Sequence, residues 1–212
     1  MTLEELRRTL NEKGFAEADA DPNPFDQFRE WYVVVLAHNV DRADAMTLAT
    51  ADTDGKPSAR MVLLKGFDER GFLFFTSYDG RKARELEANP SAALVFYWKE
   101  VDRQVRIEGR VERVSAAESD AYFQTRPWLS RVSAAISPQS EVIPGRRFLE
   151  ERAAEMIHRC PNQDMPRPVN WGGYRVVPTA IEFWQGRENR LHDRLLYSRT
   201  ADNGWRIERL AP

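Results

Sequence analysis

Sulfur and imidazole are scarce in this chain of 212 residues, which has one cysteine, Cys160, and three histidines. A single cysteine excludes an internal disulfide framework, and with so few histidines a Cys/His zinc site lacks ligands, so no metal is expected. Long apolar runs are missing too. The longest uncharged apolar stretch, residues 31–37, falls far short of the ~20 residues that span a bilayer, so no membrane segment is expected. Nor is there an excess of one charge: 31 Lys and Arg oppose 33 Asp and Glu, a formal net charge of -2. No global field therefore draws the chain to nucleic acid, and its basic residues interleave with acidic ones without an aromatic-basic platform. Residues 1–13 mix acids and bases and read as a helix rather than a signal peptide, which makes the cytoplasm the expected location.

What the chain does contain is ordinary globular material. Hydrophobic residues make up 42% and charged ones 30%, which argues against disorder. A chain of this length buries roughly 70% of its unfolded surface, enough to fold without a staple. Residues 1–24 read as an N-terminal arm whose order or mobility the sequence leaves open: Thr2 and Glu5 have capping-box spacing, Leu3, Leu6 and Leu10 mark one helix face, and an acidic, Pro-containing stretch follows Gly14. A second helix places Phe25, Phe28, Tyr32 and Leu36 on one side.

From Ala45 the texture turns to strands. Predicted strands cover 46–51, 58–67, 72–77, 92–98 and 103–114, with Asp54-Gly55 as a hairpin signal and a short helix over 81–88. Short turns between strands favour an antiparallel, meandering barrel over a parallel sheet. A helix opens at the capping box Ser115 to Glu118. Residues 127–144 read as a loop with short helical pieces, and 146–159 as a charged helix. Strands return at 173–177, 180–184, 195–198 and 205–209. The expected fold class is mainly β with flanking helices, with residues 25–212 as one domain.

Four places carry candidate chemistry. In Arg60-Met-Val-Leu-Leu-Lys65, strand alternation sends Arg60 and Lys65 to opposite faces, as if toward two anions. Arg81 and Lys82 open a short helix, where cations oppose the dipole unless an anion is present. Tyr122, Arg126 and Ser130 supply a phenol, a guanidinium and a hydroxyl able to converge on one phosphate. The segment from Glu182 to Arg194 packs two aromatics, three arginines and a histidine behind a strand, the mix a flat cofactor ring needs. If that segment is extended, Arg190 and His192 share a face. Taken one at a time, each group also fits a solvated surface charge or a structural histidine.

Together with Arg103-Gln-Val105, Tyr122-Phe-x-x-Arg126-Pro127, Gln139-Ser140, Trp171-Gly-Gly-Tyr174, Glu182-Phe-Trp-Gln-Gly186, Arg190-Leu-His-Asp-Arg194 and Arg209-Leu-Ala-Pro212, these residues resemble the pyridoxamine/pyridoxine 5'-phosphate oxidase family. The motifs fall in family order across residues 25–212. The resemblance implies an antiparallel split β-barrel, FMN held at a homodimer interface, and oxidation by O2 of pyridoxamine or pyridoxine 5'-phosphate to pyridoxal 5'-phosphate. It implies FMN contacts from Arg60, Met61, Val62, Leu63, Leu64, Lys65, Phe75, Thr76, Arg81, Lys82, Gln104, Gln139, Ser140, Trp184 and Arg194, the last four partly from the other subunit. Lys65, Tyr122, Arg126 and Ser130 match the substrate-phosphate cradle. Arg190, Leu191 and His192 match the substrate's ring side, with Arg190 and His192 as the catalytic pair and His192 able to assist proton removal at C4'.

The chain departs from the family pattern at Trp128, at Ser133-Ala-Ala135 and at Arg42-Ala-Asp-Ala45, which bears on substrate preference more than on FMN. Two alternatives stand beside this reading. One is a related flavin oxidase of phenazine type, against which Lys65 argues. The other is a non-catalytic FMN or pyridoxal phosphate binder, against which the pairing of Arg190 with His192 argues.

Overall fold

The computed structural model describes residues 1–212. It contains helices α1 (Leu3–Lys13) and α2 (Pro24–Ala37), then strands β1 (Ala45–Ala51), β2 (Pro57–Leu63), β3 (Gly66–Asp68) and β4 (Gly71–Ser77). Helix α3 (Arg81–Ala88), strands β5 (Ser91–Trp98) and β6 (Arg103–Arg113), and helices α4 (Ala116–Thr125), α5 (Trp128–Ile136) and α6 (Arg146–Arg159) follow. The chain ends in strands β7 (Trp171–Gln185), β8 (Asp193–Arg199) and β9 (Trp205–Arg209). No helix is long and apolar enough to cross a membrane.

All strand pairs are antiparallel. The order is β2-β1-β5-β6-β7-β4-β3, with β8 and β9 continuing from β7. A flat sheet in this order would hold β2 and β3 roughly 29 Å apart, six spacings of about 4.8 Å. Only Leu64 and Lys65 separate them in sequence, and such a link reaches about 10 Å. The sheet must therefore curl until its ends meet. At the resulting seam the Leu64 N–H donates to the Asp44 carbonyl at 2.8 Å and the Lys65 N–H to the Leu73 carbonyl at 2.8 Å. The architecture is a curled antiparallel half-barrel with flanking helices, as the sequence suggested.

Helix α2 packs into this curl. Pro24 at its start and the Asn23 side chain, which accepts the Phe25 N–H, set its N-terminus. Phe28 is fully buried, with its ring centroid within about 6 Å of Phe67, Phe72, Phe96 and Trp98 on β3, β4 and β5. Burying one such side chain stabilises the fold by roughly 2–3 kcal/mol. A second, smaller core joins Phe123, Val132, Ile136, Met165 and Trp171 beside the seam.

Three boundaries differ from expectation. The run 58–67 divides into β2 and β3 because the chain changes sheet ends at Leu64-Lys65. The strands predicted at 173–177 and 180–184 are one strand, β7. Pro178, which lacks an N–H, is accommodated by an irregularity between Glu108 and Gly109, where any Cβ on Gly109 would lie 2.1 Å from the Val177 carbonyl. Within 127–144, residues 128–136 form the regular helix α5, whose Val132 and Ile136 are buried at i, i+4 spacing.

Residues 1–24 lie against β7, β8 and β9. Leu6 and Phe15 are buried in the main core. The Phe15 N–H donates to Asp193 Oδ2 at 3.0 Å, and Arg209 pairs with Glu17 at 2.8 Å. Gly14 adopts φ +73°, and a Cβ there would fall 2.1 Å from the Arg187 guanidinium, so both conformation and space require glycine.

Candidate functional site

The sheet's seam opens into a cleft of about 270 Å³. Arg60, Met61, Val62, Leu63 and Lys65 line one wall from β2 and the link after it. Phe75 and Thr76 of β4, Lys82 of α3 and Gln139 line the other, and Tyr122, Arg126 and Trp171 close one end. Phe75, Tyr122 and Trp171 are stacked, with centroids 4.0 Å apart for Phe75–Tyr122 and 5.6 Å for Phe75–Trp171. The lining holds four cations and no carboxylate.

The cations have distinct surroundings. Arg60 donates to Thr50 Oγ1 at 2.6 Å, to the Ser58 hydroxyl, and to Glu85 Oε2 at 3.3 Å. Glu85 is buried, and burial pushes its carboxyl up. Hydrogen bonds from Ser58, Thr50 and Arg81 outweigh that and hold it at about 2. Lys82 Nζ donates only to neutral oxygens, Thr76 Oγ1 at 3.1 Å and Gln139 Oε1 at 2.8 Å. Burial lowers its proton affinity, and the nearby Arg60 charge adds to the effect. Arg126 caps the end of α4 and lies 4.6 Å from the Trp171 ring. Its Nη1 is buried without a hydrogen-bond partner. Burial lowers the proton affinity of Arg126, with Tyr122 opposing. An unpaired buried guanidinium N–H and a lysine held by neutral partners both lack an anion.

Arg81 and Ser140 flank the cleft rather than line it. The Arg81 backbone N–H donates to Ser140 Oγ at 3.2 Å, and Arg81 Nε pairs with Glu85 at 2.7 Å. At Gly80 the Gln139 side chain comes close, so that a Cβ would lie 2.5 Å from Gln139 Oε1 and the amide would have to shift. Two expected residues face elsewhere. Leu64 is buried in the main core, because the chain turns inward at the seam. Ser130 lies in the first turn of α5, outside the cleft lining.

The remaining expected residues gather at a second locus on β6, β7 and β8. Gln104, Trp184 and Arg194 sit side by side in register. Arg194 Nε pairs with Glu182 at 2.8 Å, and Glu182 also pairs with Arg106 at 3.1 Å. Past β7, His192 lies 4.6 Å from the Trp184 ring, while Arg190 and Leu191 are exposed. The extended geometry expected for this segment is not present: Asn189 and Arg190 have φ of 56° and 62° in a short 3-10 turn. Arg190 and His192 therefore do not alternate onto one face. The Arg187 backbone N–H donates to His192 Nδ1 at 3.1 Å. With Nδ1 accepting, the neutral ring carries its proton on Nε2 and presents a donor outward.

The candidate residues thus gather at two separate places, one cationic at the seam and one aromatic at β7–β8, sharing no residue. A family model described as "Pyridoxamine 5'-phosphate oxidase" matches residues 36–160, and one described as "Pyridoxine 5'-phosphate oxidase C-terminal dimerisation region" matches residues 171–212. The chain belongs to the pyridoxamine 5'-phosphate oxidase family of enzymes. The boundary between the two family models separates the seam group, apart from Trp171, from most of the β7–β8 group.

Members of this family named pyridoxine/pyridoxamine 5'-phosphate oxidase include one from Nostoc sp., 56% identical over 211 residues and covering 100% of this chain and 99% of that one. Another, from Rubrobacter xylanophilus, is 58% identical over 207 residues, 98% and 95% of the two chains. Among solved structures, PhzG from Burkholderia lata, in complex with tetrahydrophenazine-1-carboxylic acid, superposes with a TM-score of 0.88 at 32% identity, covering 93% of this chain and 97% of its own. A pyridoxamine 5'-phosphate oxidase-related, FMN binding protein from Nostoc punctiforme shares the fold, with a TM-score of 0.72 at 18% identity over 91% of this chain and 100% of its own.

Two residues of this oxidase-family site escaped sequence reasoning. Trp171 was visible only inside a motif, and its place in the cleft comes from antiparallel pairing with Ser77. Glu85 looked like one more charge on a short helix, though its i, i+4 spacing from Arg81 was a usable signal.

Proposed function

We propose that this chain is an FMN-dependent pyridoxal 5'-phosphate synthase. It oxidises pyridoxamine 5'-phosphate, with water, to pyridoxal 5'-phosphate and ammonia, or pyridoxine 5'-phosphate to the same aldehyde. In both cases O2 is reduced to H2O2. The observation that carries this reading is the cleft with four cations, no lining carboxylate, and an Arg126 Nη1 buried without a partner. Phosphate monoesters are the anions such a site suits, since they carry nearly two charges near neutral pH and accept several hydrogen bonds.

The residues fit FMN. Arg60, Arg81 and Lys82 would hold its phosphate near the N-terminus of α3, with Thr76, Gln139 and Ser140 as neutral partners. Met61, Val62, Leu63 and Phe75 offer an apolar wall for a flat ring. When bound, FMN supplies a two-electron acceptor that O2 regenerates. Lys65 and Arg126 would take the phosphate of the B6 substrate, with Tyr122 beside them.

A cleft of about 270 Å³ is small for two ligands, as pockets for one drug-sized ligand run ~300–1,000 Å³. We infer that a second copy of the chain completes it, bringing Gln104, Trp184, Arg190, Leu191, His192 and Arg194 across the interface. Arg190 would orient the pyridine ring. The Nε2–H of His192 would donate to the C4' heteroatom, a role the Arg187 contact favours over that of a base. A free Cys160 accords with a cytoplasmic location.

The likeness to PhzG supports a second reading, a phenazine-type oxidase. Lys65 and Arg126 in one cleft favour a phosphorylated substrate instead. The test is the visible spectrum of purified protein before and after anaerobic pyridoxamine 5'-phosphate. A flavin spectrum that bleaches, followed by peroxide release in air, is expected. A flavin that stays oxidised with both B6 phosphates would refute the reading.

A further inference from the structure

The four cleft cations divide into two pairs by their counter-ions. Arg60 is held by Glu85 and Lys65 by Asp44, whereas Lys82 and Arg126 touch no carboxylate. Each proposed phosphate cradle thus mixes cations that already have an internal anion, Arg60 and Arg81 on Glu85 or Lys65 on Asp44, with one that does not, Lys82 or Arg126. Glu85 sits behind Arg60, buried and fastened by Thr50 and Ser58. Asp44 is different. Its carboxylate lies 2.9 Å from Lys65 Nζ, the two side chains being 33% and 26% exposed, and Lys65 is its only hydrogen-bond partner.

The backbone fixes this contact. The Asp44 carbonyl accepts the Leu64 N–H at 2.8 Å, so Asp44, the last turn residue before β1, lies beside the seam link that carries Lys65. A tight turn ahead of it, with the Ala45 N–H bonded to the Arg42 carbonyl and Arg42 at φ 47°, directs the chain there. Both side chains are free to part, because neither is locked by further hydrogen bonds.

We propose that Asp44 is an affinity-setting residue of the substrate cradle: its carboxylate occupies Lys65 when no phosphate is present and competes with the incoming phosphate for it. The inference rests on the proposed reading of the Lys65–Arg126 cradle as a phosphate site. With Asp44 charged, the cradle presents a net +1 to a dianion rather than +2, from Lys65 and Arg126 less one carboxylate. Binding is correspondingly weaker, release of a phosphorylated product is easier, and unphosphorylated B6 compounds gain nothing by displacing the ion pair.

The experiment uses FMN-loaded enzyme, so that the flavin's own phosphate site is filled, and measures inorganic phosphate binding by calorimetry. Asp44→Asn should lower the dissociation constant about three- to tenfold, in line with a partly exposed ion pair, and steepen its dependence on salt. The KM for pyridoxamine 5'-phosphate should fall with it at normal flavin content. Asp41→Asn, an exposed neighbour, should change nothing, and in a Lys65→Met background Asp44→Asn should have a clearly smaller effect than in the wild type, because no ion pair is then left to displace. Asp44→Ser repeats the test if the asparagine variant folds poorly. An unchanged or weaker affinity for phosphate in folded, flavin-loaded variants overturns the proposal. If the wild type binds phosphate in this Asp44-dependent way yet oxidises neither B6 phosphate, the functional reading fails and the role of Asp44 stands.

Discussion

The seam cleft and the turn after β7 are built by opposite means. At the seam, most of the candidate side chains stand on strands β2 and β4 and helices α3 and α4, with a buried aromatic core behind them and a buried carboxylate, Glu85, aligning Arg60 and Arg81. After β7, Arg190 and Leu191 are exposed on a turn with two positive-φ residues, and His192 is oriented by one backbone N–H and one Trp face. On the proposed reading, the difference teaches that the anion-binding groups are held in place by the fold. The groups assigned to the ring instead depend on what packs around their turn: the N-terminal arm through Asp193 and Arg187, and the proposed second copy of the chain. Fixed charges gain most from rigidity, whereas groups that meet the reacting atoms sit where the surroundings can still adjust.

The sharpest way to break this contrast is to remove function from the turn without touching the cleft. His192→Asn or Arg190→Met should lower kcat/KM by ~10²–10⁴-fold with normal flavin content, checked by steady-state kinetics and the flavin absorbance of the purified variants. In the cleft, Arg126→Ala should weaken substrate binding by about 100-fold while flavin stays bound, reflecting loss of one partner of a charge-assisted contact. A KM titration beside a flavin fluorescence titration separates the two.

A smaller effect is expected where the arm meets the turn. Gly14→Val forces a β-branched residue into φ +73° against Arg187 and Asp193. It should cost about 1–3 kcal/mol of stability and reduce kcat more than flavin affinity, as read by thermal unfolding and kinetics. The smallest effect concerns acid. The Glu85 carboxyl sits at about 2 in the folded protein against an ordinary 4.5, so its contribution is whole above about pH 4.5 and is lost as pH falls toward 2. Glu85→Gln should therefore flatten the fall in unfolding midpoint between those values. An identical fall in variant and wild type would mean the carboxylate does not fasten the cradle.

Much of this was legible in the residues. Antiparallel strands, the α3 helix and the cationic character around Arg60, Lys82 and Arg126 followed from alternation and turn chemistry. What escaped was set by long-range geometry. Pro178 looked like a strand break because the bulge that absorbs it lies on β6, and α5 looked like a loop because its buried face meets Met165 and Trp171 in a distant segment. The Asp44–Lys65 contact joins residues 21 apart and depends on the sheet closing at Leu64. That the expected residues fall at two separate places was anticipated only through the family resemblance, which implied a site shared between subunits, since no local pattern says which residues stay apart within one chain.

That split is the central claim, and mixed dimers test it most directly. Co-refolding equal amounts of Arg126→Ala and His192→Asn chains, assayed at a substrate concentration far below the KM of the Arg126→Ala variant so that each is nearly inactive alone, should restore about a quarter of wild-type turnover, because half the dimers are mixed and each of those holds one intact site. Turnover no higher than that of the separate variants, with mixed dimers demonstrably formed, would contradict a site shared between two copies.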